Sequence, residues 1–283
     1  MRQVIIPNDI LTNTQEINLI HYQSKAELSK SKVVFSQYVF SFLTEGQKQI
    51  HNTDGLLSIN SNEFTLITNP VCLMTEKKGL DAGIYKSCLL TFNDKILHDF
   101  KQKYQIKQSP SPTELCKNVL KFKYDNYTSN FRTSLEMLPY QHLSQEILTI
   151  KFQEIMLYLL QKEPRLLDSF LSQHHSSLET HFRYSVENNT YSNLSLEELA
   201  FLCNMSISTF KRYFNKFYQT SPHKWMLNQR MNKANQLLEQ GKLPSEIFAI
   251  LGYQTLSNFT RAYKKHFGEL PSHQISKSSP ANE

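Results

Sequence analysis

Two short clusters of side chains carry the chemistry legible in this sequence. The first is Ser208, Thr209, Lys211, Arg212, Asn215 and Lys216; the second is Leu256, Ser257, Thr260, Arg261 and Lys264. Arginine can fork onto guanine or a phosphate through parallel N–H groups, and lysine neutralises phosphate as a point charge. Hydroxyl, amide and small apolar groups suit the edges of bases. Neither cluster contains an acid. Between Met205 and Lys233 six basic residues (Lys211, Arg212, Lys216, Lys224, Arg230, Lys233) occur without an acidic one, which suits a phosphate backbone. Exposed helices commonly bear Lys and Arg, so the weight rests on there being two such clusters.

The surrounding punctuation predicts the elements that present them. Phe210, Phe214 and Phe217 fall at i, i+4 and i+7 behind Ser206, with Tyr213 beside them, so an N-capped helix should bury the aromatics and expose the first cluster. Phe259, Ala262 and Tyr263 do the same behind Thr255. Each helix follows a shorter one and a tight turn. Ser195-Leu196-Glu197-Glu198 is a capping box opening a helix with Leu196, Leu199, Ala200 and Leu202 inward, and Cys203-Asn204-Met205 is the turn. Pro244 opens the second short helix, which runs to Leu251 and ends at Gly252. Between the two, Ser221-Pro222 starts a helix that stops at Gly241; about 19 residues make it roughly 28 Å long. A first helix from Leu178 to Asn188 is expected to bury Leu178, Phe182 and Val186. The pattern is one helix-turn-helix unit used twice. Such a unit lays its second helix in the major groove, and successive grooves lie about 34 Å apart, within reach of this spacer.

With 283 residues there is room for two domains, and the polar stretch Gln173-His174-His175-Ser176-Ser177 places the boundary between 1–173 and 174–283. The net charge is +6 and the pI about 9.0. The later segment holds 12 basic and 8 acidic residues against 19 and 17 before it, a mild preference for a polyanionic partner. The first ~92 residues read as strands. Val33 to Leu43 is one, with Val34, Tyr38, Phe40 and Phe42 on a face; Leu56–Ile59 and Phe64–Thr68 flank a hairpin turn at Asn60–Glu63. Ile84, Lys86, Cys88, Leu90 and Phe92 oppose Tyr85 and Leu89 on a further strand. Helices follow: Asn93 caps one with Leu97, Phe100 and Tyr104, Thr128 to Leu138 forms another, and Ser144 caps a longer one through Gln161, with a loop at Ser109–Pro112 between. Four scattered cysteines (Cys72, Cys88, Cys116, Cys203) read as reduced thiols of a cytoplasmic protein. No signal peptide and no membrane span is expected, the longest apolar run near the middle being Ile155–Leu160.

Residues from about 190 to 273 resemble the DNA-binding domain of AraC/XylS-type transcription regulators. The resemblance rests on Leu199-Ala200, Met205-Ser206, Phe210, Arg212, Phe214, Ser221-Pro222, Arg230, Ala234 and Leu237-Leu238. In the second unit it rests on Ile247, Gly252-Tyr253, Phe259, Arg261, Tyr263, Lys264-Lys265, Phe267-Gly268 and Pro271. The chain departs from that pattern at Gln219, where the family has glycine, and at Pro244 and Phe248. The resemblance implies base-reading roles for Ser208, Thr209, Lys211, Arg212, Ser257, Thr260 and Arg261, and structural ones for Arg230 and Ala234. The strand-rich start and Ile150-Lys151-Phe152-Gln153-Glu154 are similar to the regulatory domain of the ExsA kind. That implies an α+β protein: an N-terminal cupin-like β-barrel with helices, then an all-α domain with two helix-turn-helix units. It further implies a homodimer, with Ile147, Ile150, Leu157 and Leu160 as candidate seam, unless they pack on the barrel. Double-stranded DNA and RNA polymerase are the partners it implies, with a small-molecule or protein effector at the first domain.

Two other classes of protein fit the sequence less well. A cupin enzyme needs clustered metal ligands, typically two histidines one residue apart; His21 and His51 stand alone, His174 and His175 are adjacent on a linker, and no HxH occurs. With seven glycines and no phosphate loop, no cofactor, metal or catalytic residue is expected. A nonspecific architectural DNA binder would lack the paired readout faces.

Overall fold

Short apolar and alternating runs form ten strands among the described residues, nine of them ending by Phe92 and the tenth at Val119–Lys123, and they hydrogen-bond as two five-stranded sheets. In the computed structural model, which describes residues 3–68, 70–79, 83–106, 117–139, 143–171 and 178–278, one sheet has the order β1 (Gln3–Ile6), β3 (Leu28–Phe35), β8 (Val71–Lys77), β5 (Gln47–Asn52), β6 (Gly55–Asn60). The other has the order β10 (Val119–Lys123), β7 (Glu63–Ile67), β4 (Tyr38–Glu45), β9 (Tyr85–Phe92), β2 (Ile17–Ser24). Strand β1 runs parallel to β3, and the other pairings are antiparallel.

The second sheet is buried on both faces. Val39, Leu43, Ile67, Tyr85 and Leu89 meet Val33, Phe35, Ile50, Cys72 and Met74 of the first sheet. Its outer face carries Phe40, Phe42, Phe64, Phe92 and Phe122, packed under four helices: α1 (Asp94–Lys103), α2 (Asn126–Glu136), α3 (Gln145–Lys162) and α4 (Pro164–Leu171). Phe92 and Phe152 rings lie 4.4 Å apart, and Phe42 and Phe131 5.5 Å. The alternation along β9 accounts for both interfaces, since Cys88, Leu90 and Phe92 face the helices while Tyr85 and Leu89 face the other sheet. The caps at Asn93 and Ser144 are present, each accepting a backbone N–H of the first turn.

Four expectations change, one of them in the later unit: the helix opened by Pro244 stops at Ile247 instead of Leu251, where the chain passes into the turn closed by Gly252 N–H to Ala249 O at 3.1 Å. Val33 to Leu43 is two strands, because the chain turns at Ser36-Gln37, where the Ser36 N–H donates to Ile6 O at 3.0 Å. Asn60–Glu63 joins strands of different sheets rather than a hairpin: all five residues of β7 are buried, which only a central strand allows, whereas β6 lies at an edge. Leu178 is 51% exposed, while Phe182 and Val186 are buried as expected.

The remaining chain is all helix: α5 (Leu178–Asn188), α6 (Leu196–Leu202), α7 (Ile207–Tyr218), α8 (Pro222–Glu239), α9 (Pro244–Ile247), α10 (Leu256–Phe267) and α11 (Pro271–Ser278). Two compact units result, Met1–Ser177 and Leu178–Glu283. The stretch placed at the domain boundary (173–177), the loop at 109–112 and Cys116 lie outside the described residues. Cys72, Cys88 and Cys203 are buried free thiols; burial pushes the Cys203 thiol up to about 12, which makes it inert. Among the described residues no helix is long and apolar enough to cross a membrane, and no three His, Cys, Asp or Glu converge to hold a metal.

Candidate nucleic-acid interface

Two small cores hold the second unit together, one behind each candidate recognition helix. Behind α7 lie Phe182, Val186, Leu199, Ala200, Phe210 and Phe214. Behind α10 lie Met231, Ala234, Leu238, Ile247, Leu251, Phe259 and Tyr263. The spacer α8 contributes to both, with Trp225 and Met226 against the first core and Met231 to Leu238 in the second. Its 18 residues give a rod of about 27 Å.

Each recognition helix begins at the cap read from sequence. Ser206 Oγ accepts the Thr209 N–H at 3.2 Å, and Thr255 Oγ1 accepts the Asn258 N–H at 3.2 Å. The turns before them share one hydrogen-bond pattern. Asn204 N–H donates to Phe201 O at 2.8 Å and Met205 N–H to Ala200 O at 3.0 Å; Gly252 N–H donates to Ala249 O at 3.1 Å and Tyr253 N–H to Phe248 O at 3.0 Å. Asn204 and Gly252 both adopt positive φ, 54° and 80°. Phe248 thus occupies the place of Ala200. Its half-buried ring packs against the second core, so the bulk is carried at the rim rather than inside.

Ser208, Lys211, Arg212, Asn215 and Lys216 on α7, and Leu256, Ser257, Arg261 and Lys264 on α10, are exposed; Thr209 and Thr260 are half-buried. The structure brings each cluster onto one helix, opposite the buried aromatics. Arg212 and Lys216 lie beside the Tyr213 and Phe217 rings, 5.7 and 5.4 Å from the centroids, which orients their stems along the helix. Gln254 just before α10, and Asn258, Lys265 and His266 within it, are exposed too and stand outside the two clusters read from the sequence. Their polarity and the Lys265-His266 doublet next to Lys264 were the available signal.

Arg230 has a structural place. Half-buried on α8, it donates from Nε to Thr190 O and from Nη2 to Ser192 O, both at 2.9 Å. Burial pulls its guanidinium below the usual arginine range, and Tyr253 opposes this. Of the candidate seam residues on α3, Ile147 and Ile150 are 44% and 62% exposed, and Leu157 and Leu160 are half-buried against the helix-side core. Leu148, Phe152, Ile155, Met156 and Leu159 form the face that packs on the sheet.

A sheet-rich unit followed by a pair of helix-turn-helix motifs defines the class of two-domain regulators. Residues 38–168 match the family described as the ExsA N-terminal regulatory domain, and residues 199–275 match a helix-turn-helix domain family. Both units thus match families of AraC-type regulators, one for each half of the chain. It is 30% identical over 125 residues to the virulence regulon transcriptional activator VirF of Yersinia enterocolitica, covering 44% of this chain and 46% of that protein. It is 27% identical over 139 residues to the HTH-type transcriptional regulator ExsA of Pseudomonas aeruginosa, covering 48% and 50%. The chain thus spans about half the length of the curated relatives it matches. Among solved structures, apo ToxT of Vibrio cholerae strain SCE256 aligns over 94% of this chain and 99% of that one, with 14% identity and a TM-score of 0.46.

Proposed function

We propose that the protein is a sequence-specific transcription regulator, an activator, that inserts α7 and α10 into two successive major grooves on one face of DNA. The observation that carries this is the pair of acid-free exposed faces on helices held by one spacer of about 27 Å. In this reading Arg212 and Arg261 fork onto bases, Lys211, Ser208, Thr209, Ser257, Thr260 and Leu256 contact base edges, and Asn215, Lys216 and Lys264 hold the backbone. The protein acts in the cytoplasm with RNA polymerase, as a homodimer seamed by Ile147 and Ile150 with Leu157 and Leu160 alongside. The first unit receives a small-molecule or protein effector that binds the active and inactive forms unequally.

Selection from random duplex DNA with the full-length protein tests the proposal. Enriched sequences should contain two short elements about 10–11 base pairs apart. Uniform recovery of all sequences would instead favour an architectural binder that tracks only phosphates.

A further inference from the structure

Tyr263 is fully buried in the core behind α10, and its hydroxyl reaches out of that core to the spacer helix. The hydroxyl donates to Asn235 Oδ1 on α8 at 2.9 Å. The Asn235 amide is held from its other side, since Nδ2 donates to Glu239 Oε1, one turn further along α8, at 2.6 Å. The same carboxylate oxygen accepts from Gln274 Nε2 of α11 at 3.2 Å. Four side chains from three helices thus form a chain in which each donor meets an acceptor, and two partners of opposite polarity fix which way the Asn235 amide points. Phe214 holds the matching place on α7: it follows Phe210 by four residues, as Tyr263 follows Phe259, and it is equally buried. Phe214 meets the spacer through its ring, 5.8 Å from that of Trp225 at an interplanar angle of 74°.

A phenyl ring therefore fills this place in a helix-turn-helix unit without a hydroxyl, and a buried hydroxyl is tolerated only when it is hydrogen-bonded. What the hydroxyl adds is direction. Ring contacts tolerate a small roll of one helix on another, whereas a hydrogen bond weakens steeply as its angle closes. Successive residues lie about 100° apart around a helix, so Arg261, two residues before Tyr263, points to the opposite side, where it is exposed. A roll of α10 that breaks the Tyr263 bond swings the Arg261 guanidinium, and a bidentate fork onto a base needs its geometry held to within roughly 10–20°. We infer, on the reading of α10 as a recognition helix, that Asn235 is a positioning residue for base reading: through Tyr263 it sets the roll of α10 and so the aim of Arg261, while Glu239 and Gln274 hold the amide in place. The DNA element under α10 is then read strictly, and the element under α7, which Phe214 seats through ring contacts, more loosely.

The test uses the full-length protein on a duplex it selects, with single base pairs changed under α7 or under α10. The natural chain is compared with Tyr263→Phe, Asn235→Leu and the double variant. The natural protein should discriminate against changes in both elements. Each single substitution should cut discrimination in the α10 element at least about fivefold and leave that in the α7 element unchanged. The double variant should lose no more than either single one, because both remove the same bond. Affinity for unrelated duplex and the helical circular dichroism should stay at the natural values. Tyr263→Phe keeps the ring that suffices for packing at Phe214, so it reads the bond even where Asn235→Leu unfolds. Discrimination under α10 that survives Tyr263→Phe, equal losses under the two helices, or additive losses in the double variant would each overturn the positioning role while leaving α10 as a reading helix. A natural protein with no preference under α10 would instead remove the reading of that helix, and the role of Asn235 with it.

Discussion

Gly252 turns its α-carbon onto the carbonyl of Tyr191, so that a Cβ at this position would stand 2.6 Å from Tyr191 O and 3.2 Å from Ser192 O. Arg230 grips the same segment from the other side through the carbonyls of Thr190 and Ser192. The link between α5 and α6 is therefore clamped between the spacer helix and the turn of the second helix-turn-helix, which ties the seating of one reading unit to the other. Gly252→Ala must adopt a left-handed φ of 80° and displace a backbone carbonyl, at a combined cost of about 2–4 kcal/mol. Gly241→Ala has the same handedness, φ 81°, with nothing within 4 Å, and should cost only about 1 kcal/mol. Urea unfolding of the two variants measures the difference; equal losses would mean that the close approach contributes nothing.

Gln219 ends α7 in the left-handed conformation, φ 54°, where a side chain is disfavoured. Its Nε2 donates to Lys216 O at 2.9 Å, which recovers part of the cost. Gln219→Gly should stabilise the protein by up to about 1 kcal/mol, read as an upward shift of the thermal midpoint. A lower midpoint would show that the side-chain cap outweighs the backbone strain.

Asp125 caps α2 and accepts from Thr128, Tyr158 and Lys162. Burial acts to raise its pKa, but these bonds together hold it well below the usual carboxylate range. A carboxyl depressed on folding stabilises the native state above its unfolded value, near pH 4, and that contribution is lost as the pH falls further toward the folded value. Asp125→Asn keeps a capping side chain and removes the titration. The natural chain should lose stability more steeply than the variant below about pH 4, as followed by urea midpoints. Parallel curves would remove Asp125 from the acid response.

Much of the second unit was legible because local chemistry punctuates it. Ser195, Ser206, Ser221 and Thr255 cap helices where read, and Phe210, Phe214, Phe259 and Tyr263 face inward. The first unit was less so, because strand pairing is set by non-local contacts. The run through Val33–Leu43 gave no apolar interruption to mark the turn at Ser36-Gln37, and nothing local tells β7 that its partners are β4 and β10 rather than β6. Leu178 misled because a periodic position at a helix start need not reach the core. The bond from Tyr263 to Asn235 escaped notice since helix packing brings together residues far apart in sequence.

The roles assigned to the two kinds of basic residue separate under salt. Arg212→Ala should cost about 1–3 kcal/mol on a selected site and relax preference at a few base pairs. Lys216→Ala should weaken all sequences alike and reduce the slope of affinity against salt by about 1. Indistinguishable behaviour in anisotropy titrations would undo the assignment.

The most direct test of the central claim is methylation interference on a selected duplex, comparing the natural protein with Arg261→Ala. Two patches of major-groove interference on one face of the DNA, about one helical turn apart, are expected for the natural protein, with the patch under α10 lost in the variant. A single patch, unchanged by Arg261→Ala, would contradict the claim that both helices read bases.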